Sequence, residues 1–195
     1  MNFISQQSEM NGPMHGDTNE DSMIDILRKR RSIRKYTNEP ISDAVLRLLQ
    51  EAVLRAPTSR ALNPWEFIFV TDKKMLDKLS HSKPHGAHFL RDAALGVVIV
   101  GDETTADTWI EDCSIAAIIL QLACTSVGLG SCWVQVRLRP HDENTSAETF
   151  VQNQLGLPEH KHTPCIISIG YPAESKKMHT GEDLPTNKIS HWIRA

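Results

Sequence analysis

The run 93–100, AALGVVIV, closed by Gly101-Asp102, constrains the fold of this chain more than any other segment. A strand with one wet face alternates apolar and polar residues, and this run does not alternate. It reads as a strand buried on both faces, which requires a sheet with a layer on either side. Three further strands fit beside it, at 65–72 (WEFIFVTD), 131–137 (SCWVQVR) and 164–171 (PCIISIGY). Helical spacing supplies the covering layers. Asp21 or Ser22 can cap a helix to about Arg30, with Met23, Ile26 and Leu27 on one face. Ser42 can cap a second, carrying Val45, Leu48, Leu49, Ala52 and Val53, which ends at Ala56 because Pro57 disfavours the helical conformation before it. A short helix is expected at 72–80. The longest is expected at about 107–127, with Ile115, Ile118, Ile119 and Leu122 in its stripe, and another at 145–155.

Helices and strands alternate without internal repeats, so residues 21–195 are expected to form one domain, a mixed sheet covered by helices. Residues 1–20 are polar, lack the basic and apolar regions of a signal peptide, and read as a disordered leader. The tail from 174 is charged and irregular but closes on ISHWIRA, whose apolar side chains call for a partner. With 195 residues, 40% of them hydrophobic, the chain can build one core. A net charge of −3 argues against a nucleic-acid binder, which would carry a basic excess. Cys113, Cys124, Cys132 and Cys165 form no C-x-x-C pair and suit reduced thiols in the cytoplasm. No run is read as reaching the roughly 18 apolar residues that span a membrane.

Within this frame a few segments carry chemistry. Arg30, Arg31, Ser32 and Arg34 crowd three guanidinium groups and a hydroxyl, a set that matches phosphate oxygens. The same residues near a helix C-terminus would also complement its dipole. In 56–65, APTSRALNPW, two prolines bracket Thr58, Ser59, Arg60 and Asn63, so a rigid polar loop could meet a flat heteroaromatic ring or simply join helix to strand. Gly128-Leu129-Gly130 is not a dinucleotide fingerprint. Trp133 stands where the third glycine belongs, and the glycines follow a helix and precede a strand. They suit a helix C-cap. His81, His85 and His88 have helical spacing, but Pro84 and Gly86 interrupt it, so a loop over a pocket is expected rather than a metal site.

The segments RRSIRKYT, LRAPTSRALNPWEFIFVTD, KPHGAHFLRDA, WIEDCSIAAIILQLACTSVGLGSCWVQVR, LGLPEH and IISIGYPAES together resemble the nitroreductase family, over roughly 22–174. The resemblance implies an α+β fold with a mixed, largely antiparallel sheet flanked by helices, working as a homodimer with FMN at the subunit interface. It implies an enzyme that takes hydride from NADH or NADPH and reduces a small-molecule acceptor, a nitroaromatic or quinone, by a ping-pong cycle. The flavin does the chemistry, so no catalytic side chain is required. On this likeness Arg30, Arg31, Ser32 and Arg34 hold the phosphate and the pyrimidine side of the flavin. Pro57, Thr58 and Ser59 reach in from the partner subunit, and Trp133, Val134, Gln135 and Val136 line the ring, with backbone N–H groups of 135 or 136 toward N5. Lys177 is placed on the phosphate, with Lys176 and His179 as competitors. Lys83, His85 and Trp133 are placed in the substrate pocket. The C-terminal extension would cross to the partner. Ala61 and Asn63 depart from the family's asparagine and glutamine. Two other readings stand beside this one: a non-catalytic flavin-binding or sensing protein, and a same-fold enzyme of reductive dehalogenation or flavin destruction.

Overall fold

The computed structural model of the chain describes residues 22–192, so the expected leader and the last residues of the tail lie outside the described residues. Local chemistry fixes the helix ends. Ser22, Ser42, Asp72 and Ser146 each accept a backbone N–H three residues on, capping α1 (Met23–Lys29), α2 (Asp43–Leu54), α3 (Lys73–Ser80) and α5 (Ala147–Leu155). Gly156, with φ 67°, ends α5 in the left-handed conformation that suits glycine. The remaining elements are β1 (Trp65–Val70), β2 (Leu95–Asp102), α4 (Trp109–Ser126), β3 (Gly130–Gln135) and β4 (Lys161–Gly170).

The strands form one sheet in the order β1-β2-β4-β3, and every neighbouring pair is antiparallel. The expected mixed sheet is thus an antiparallel one. β4 arrives last, inserts between β2 and β3, and runs against both. Parallel pairing among the described residues is confined to a single bridge, Ser32 with Ser131.

β2 is buried on both faces. Leu95, Val97 and Ile99 face α2 and α4 in one cluster, while Val98 and Val100 join α3 and α5 residues in a second. This is the physical content of the non-alternating run. All four cysteines are buried and free.

Helix α4 corrects the expectation that no run is long and apolar enough to span a membrane. Its 18 residues have mean hydropathy 1.2, long and apolar enough by length and composition to cross a membrane. Both charges, Glu111 and Asp112, sit in its first turn, so 113–126 is uncharged. Here it packs on all four strands and against α1 and α2. Ile115 and Ile118 nevertheless remain 39% and 38% exposed on its outer side. A helix apolar all round is one covered on every side.

Candidate functional site

The ends of α4 build two different environments. At the C-terminal end, Gly128 turns the chain with φ 77° into β3. A Cβ on Gly130 would lie 2.8 Å from Ile33, so only glycine lets the segment after α1 descend onto β3. Ile33 N–H donates to the Ser131 carbonyl (3.0 Å). Buried Tyr36 secures the other side: its hydroxyl donates to the Ile33 carbonyl (2.7 Å) and lies 2.6 Å from Ser168 Oγ. Burial pushes the Tyr36 pKa well up, so the phenol stays neutral. Thr37 N–H donates to the Tyr171 carbonyl (2.9 Å) and Ala173 N–H to that of Lys35 (2.8 Å). Residues 32–37 are thereby clamped between β3 and the chain leaving β4.

The clamp displays the arginines. Arg30, Arg31 and Ser32 are half-buried and Arg34 is exposed. Arg34 N–H donates to Glu174 Oε1 (2.6 Å), and that bond, followed by the charge of Lys176, lowers the Glu174 pKa. Lys176 Nζ donates to the Ser32 carbonyl and lies 3.5 Å from Glu174. Lys177 is exposed and makes no hydrogen bond or ion pair among the described residues. A groove of about 370 Å³ opens here, lined by Lys29, Arg31, Ile33, Gly128, Glu174 and Lys176 among others. Beside it the buried Ser131 Oγ has no hydrogen-bond partner among the described residues.

β3 is an edge strand, and its parity decides which backbone groups are free. Ser131 directs its carbonyl outward to Ile33. In an antiparallel strand alternate residues direct both N–H and C=O to one side, so Trp133 and Gln135 also face the open edge. Val136 N–H is directed the other way and donates to the Pro164 carbonyl (3.1 Å). Of the two N–H groups expected to face a ligand, therefore, only that of Gln135 can. The side chains of Val134 and Val136 lie fully buried in the α3/α5-side cluster and line no surface. The Trp133 ring is half-buried on the α4 side, and its Nε1–H donates to Gln135 Oε1 (2.8 Å). Gln135 Nε2–H in turn donates to the Arg137 carbonyl (2.8 Å).

The N-terminal end of α4 carries the loop with Pro57, Thr58 and Ser59. Asp112, 3% exposed, accepts from Ser59 N–H (3.1 Å) and Thr108 Oγ1 (3.1 Å). Thr58 Oγ1 accepts from Asn63 N–H (3.1 Å), and Arg60 pairs with Asp107. Arg60, Ala61 and Asn63 all have φ between 49° and 55°. Left-handed backbone at three non-glycine positions stores strain of about 1 kcal/mol or more at each of Arg60 and Ala61, and less at Asn63.

The two ends do not meet. Asp112 fastens the loop and Thr125 lines the arginine groove. Thirteen residues of helix separate them, about 20 Å. Within one chain, Pro57–Ser59 and the arginine groove thus stand at opposite ends of α4. In the expected pocket, Lys83 is half-buried and His85 exposed. His81 and His88 stand 6.5 Å apart, each bound to a backbone carbonyl, Asp77 and Pro84 respectively. Sequence reasoning missed Tyr36, Glu174 and Asp112. Their partners are 132, 140 and 53 residues away, so no local spacing marks them.

Known proteins share this architecture. The model of the nitroreductase family matches residues 27–84 and 79–171. The solved structure of an FMN-dependent nitroreductase from Clostridium difficile R20291 is 43% identical, with a TM-score of 0.85, over 88% of this chain and 99% of that one. A protein of Archaeoglobus fulgidus, provisionally named NADH dehydrogenase/NAD(P)H nitroreductase, is 32% identical over 84% of this chain and 92% of its own length. An NADPH-flavin oxidoreductase of Vibrio harveyi is 26% identical over 88% of this chain and 73% of its own. With the family model covering most of the chain and the sheet, helices and edge strand arranged as described, the chain belongs to the nitroreductase family.

Proposed function

We propose that the chain is an NAD(P)H-dependent FMN oxidoreductase that works as a homodimer. It takes two reducing equivalents from NADH or NADPH and passes them to a nitroaromatic or quinone by a ping-pong cycle. Names of relatives support the activity class, since a nitroreductase and a flavin oxidoreductase stand among them. The observation that carries the reading is the separation of two ligand-ready sets at opposite ends of α4, each incomplete alone. Two antiparallel copies, joined along the exposed Ile115 and Ile118 of α4, would bring one set to the other.

The residues present fit FMN. The groove offers guanidinium and ammonium donors with a buried, unpartnered Ser131 hydroxyl beside it. Arg30, Arg31, Ser32 and Lys176 would hold the phosphate, and of the adjacent lysines Lys176 has the better claim, being already fixed on Ser32. Arg34 would bring positive charge to the pyrimidine side. Gln135 offers a free edge N–H toward the ring, and Trp133 keeps the Gln135 side chain in place. Pro57, Thr58 and Ser59 would close the site from the second copy. FMN, when bound, supplies the two-electron chemistry, so the protein needs no acid or base of its own. The chain's part is to bind, orient and exclude water. The exposed tail residues Leu184, Ile189 and Trp192, the last 95% exposed, would find cover on the second copy. Four free buried thiols accord with a cytoplasmic setting.

The test is the purified protein's absorption spectrum, followed by anaerobic addition of NADH or NADPH. Yellow protein that bleaches, and releases FMN rather than FAD on denaturation, is the expected result. Colourless protein that takes up no FMN would contradict the proposal. Yellow protein that neither nicotinamide bleaches would reduce it to flavin binding.

A further inference from the structure

A second cationic pair stands apart from the arginine groove, where the loop after α3 meets the turn after β3. One hydrogen bond joins these segments, from His141 Nδ1–H to the Ser82 carbonyl (3.3 Å), and the His141 ring stacks on Phe150 of α5 at 4.1 Å. Gly86, with φ 75°, turns its loop back so far that a Cβ there would lie 3.8 Å from Lys83 Nζ. On the other side Leu138 has φ 59° and is 77% exposed. A non-glycine residue in this conformation is strained, and the turn it makes diverts Arg139 from the line of β3. Burial and then the nearby charge of Arg139 both lower the Lys83 pKa.

Neither cation has a carboxylate partner among the described residues. The nearest acid along the chain, Asp142, accepts from Asn144 and Thr145 N–H and faces His141 at 3.7 Å. Glu174 is committed to Arg34 N–H and Lys176. Lys83 is half-buried and Arg139 exposed, and two like charges brought together raise the free energy until an anion joins them. Their position gives such an anion a use. The charges of Arg34, Lys176 and Lys83 all bear on the Cys132 thiol. Cys132 precedes Trp133 and Gln135, the residues that face the open edge of β3. Phe89, 5.8 Å from the Arg34 guanidinium, adds an aromatic wall.

We infer that Lys83 and Arg139 form an anion subsite for a phosphate, sulfonate or carboxylate on the small molecule that reacts at the open edge of β3. The inference rests on the proposed function for the identity of that edge as the reacting site. The anion has two possible bearers, the 2′-phosphate of NADPH or an acid group on the electron acceptor, and both present the same chemistry to the pair.

Calorimetry on the protein as purified separates the cases. NADP⁺ is compared with NAD⁺, and 1,4-naphthoquinone-2-sulfonate with 1,4-naphthoquinone, on the parent chain, the Lys83→Glu/Arg139→Glu double variant, and Lys83→Arg. In one of the two pairs the preference for the anionic member is expected to fall about tenfold or more in the double variant, the scale of a lost charge-assisted bond. Lys83→Arg retains it. The pair that responds identifies the bearer. Preferences unchanged in both pairs would make Lys83 and Arg139 solvated cations only, and overturn the inference. Loss of FMN from the double variant would assign the pair to the cofactor, and also overturn it. A parent chain without FMN would defeat the proposed function instead, while the preference ratio still reports on the pair.

Discussion

The two ends of α4 solve opposite problems. At its N-terminal end the loop 57–63 is neutralised and tied down. Asp112 is buried and doubly bonded, Arg60 is paired with Asp107, and Thr58 clasps Asn63, yet the backbone between them is strained. At the C-terminal end the backbone is relaxed and clamped by Tyr36, while the cations of Arg30, Arg31, Arg34 and Lys176 outnumber the carboxylates of Glu174 and Asp183 that bear on them. One end therefore combines backbone strain with paired charges, and the other a firm backbone with an excess of positive charge. The difference is what the proposed homodimer would use, each end completing the other across two copies.

The comparison can be broken by substitution at either end. The largest effect on stability is expected from Asp112→Ala, which leaves the Ser59 N–H and the Thr108 hydroxyl without their buried charged acceptor. A loss of about 3 kcal/mol by urea unfolding is expected, and an unchanged midpoint would show that the loop is not held this way. Arg34→Ala acts at the other end. It should weaken FMN binding by about 1.5–3 kcal/mol, measured by flavin fluorescence, with little change in the stability of the flavin-free chain. An unchanged dissociation constant would return the arginine cluster to a helix-end role.

Tyr36→Phe sharpens the contrast by loosening the clamp without removing charge. A stability loss of about 1–2 kcal/mol is expected from the deleted hydroxyl. Because the folded-state pKa of Tyr36 is raised, this contribution is complete below the unfolded value near 10 and declines as pH rises above it. The gap between parent and variant should therefore narrow in strong alkali, and a gap constant from pH 7 upward would place the hydroxyl's contribution elsewhere. The smallest effect is Ala61→Gly. Relief of the left-handed strain should stabilise the chain by about 0.5–1 kcal/mol, visible as a higher melting temperature. A destabilised variant would mean the loop's geometry is not strained in the folded chain.

Much of the fold was legible in the sequence where periodicity is local. The non-alternating run of β2 implied layers on both faces, and the helix stripes implied what those layers are. Element ends were displaced by a few residues, because propensity does not set where tertiary contacts stop. The sheet was less legible. That β4 inserts between β2 and β3 depends on pairings such as Val98 with Ile166, remote in sequence. The site divides in the same way. The arginine cluster is contiguous and could be read directly. Val134 and Val136 could not be told from edge-facing residues until the parity of β3 was known. Lys176 and Lys177 are adjacent, and only the path of the chain beyond β4 turns one toward Ser32. Tyr36, Glu174 and Asp112 look ordinary in sequence and matter through long-range contacts alone.

The composite site is tested most directly by mixing two damaged chains. Arg34→Ala spoils the charged end and Thr58→Ala/Ser59→Ala spoils the loop end, and each alone is expected to lose bound flavin. When the two are unfolded together, refolded and given FMN, mixed dimers contain one site built from both intact ends. The account predicts recovery of flavin absorbance and of NAD(P)H-dependent bleaching in the mixture but in neither variant alone. A mixture that forms mixed dimers yet binds no more flavin than its components would contradict it, placing the whole site within one chain.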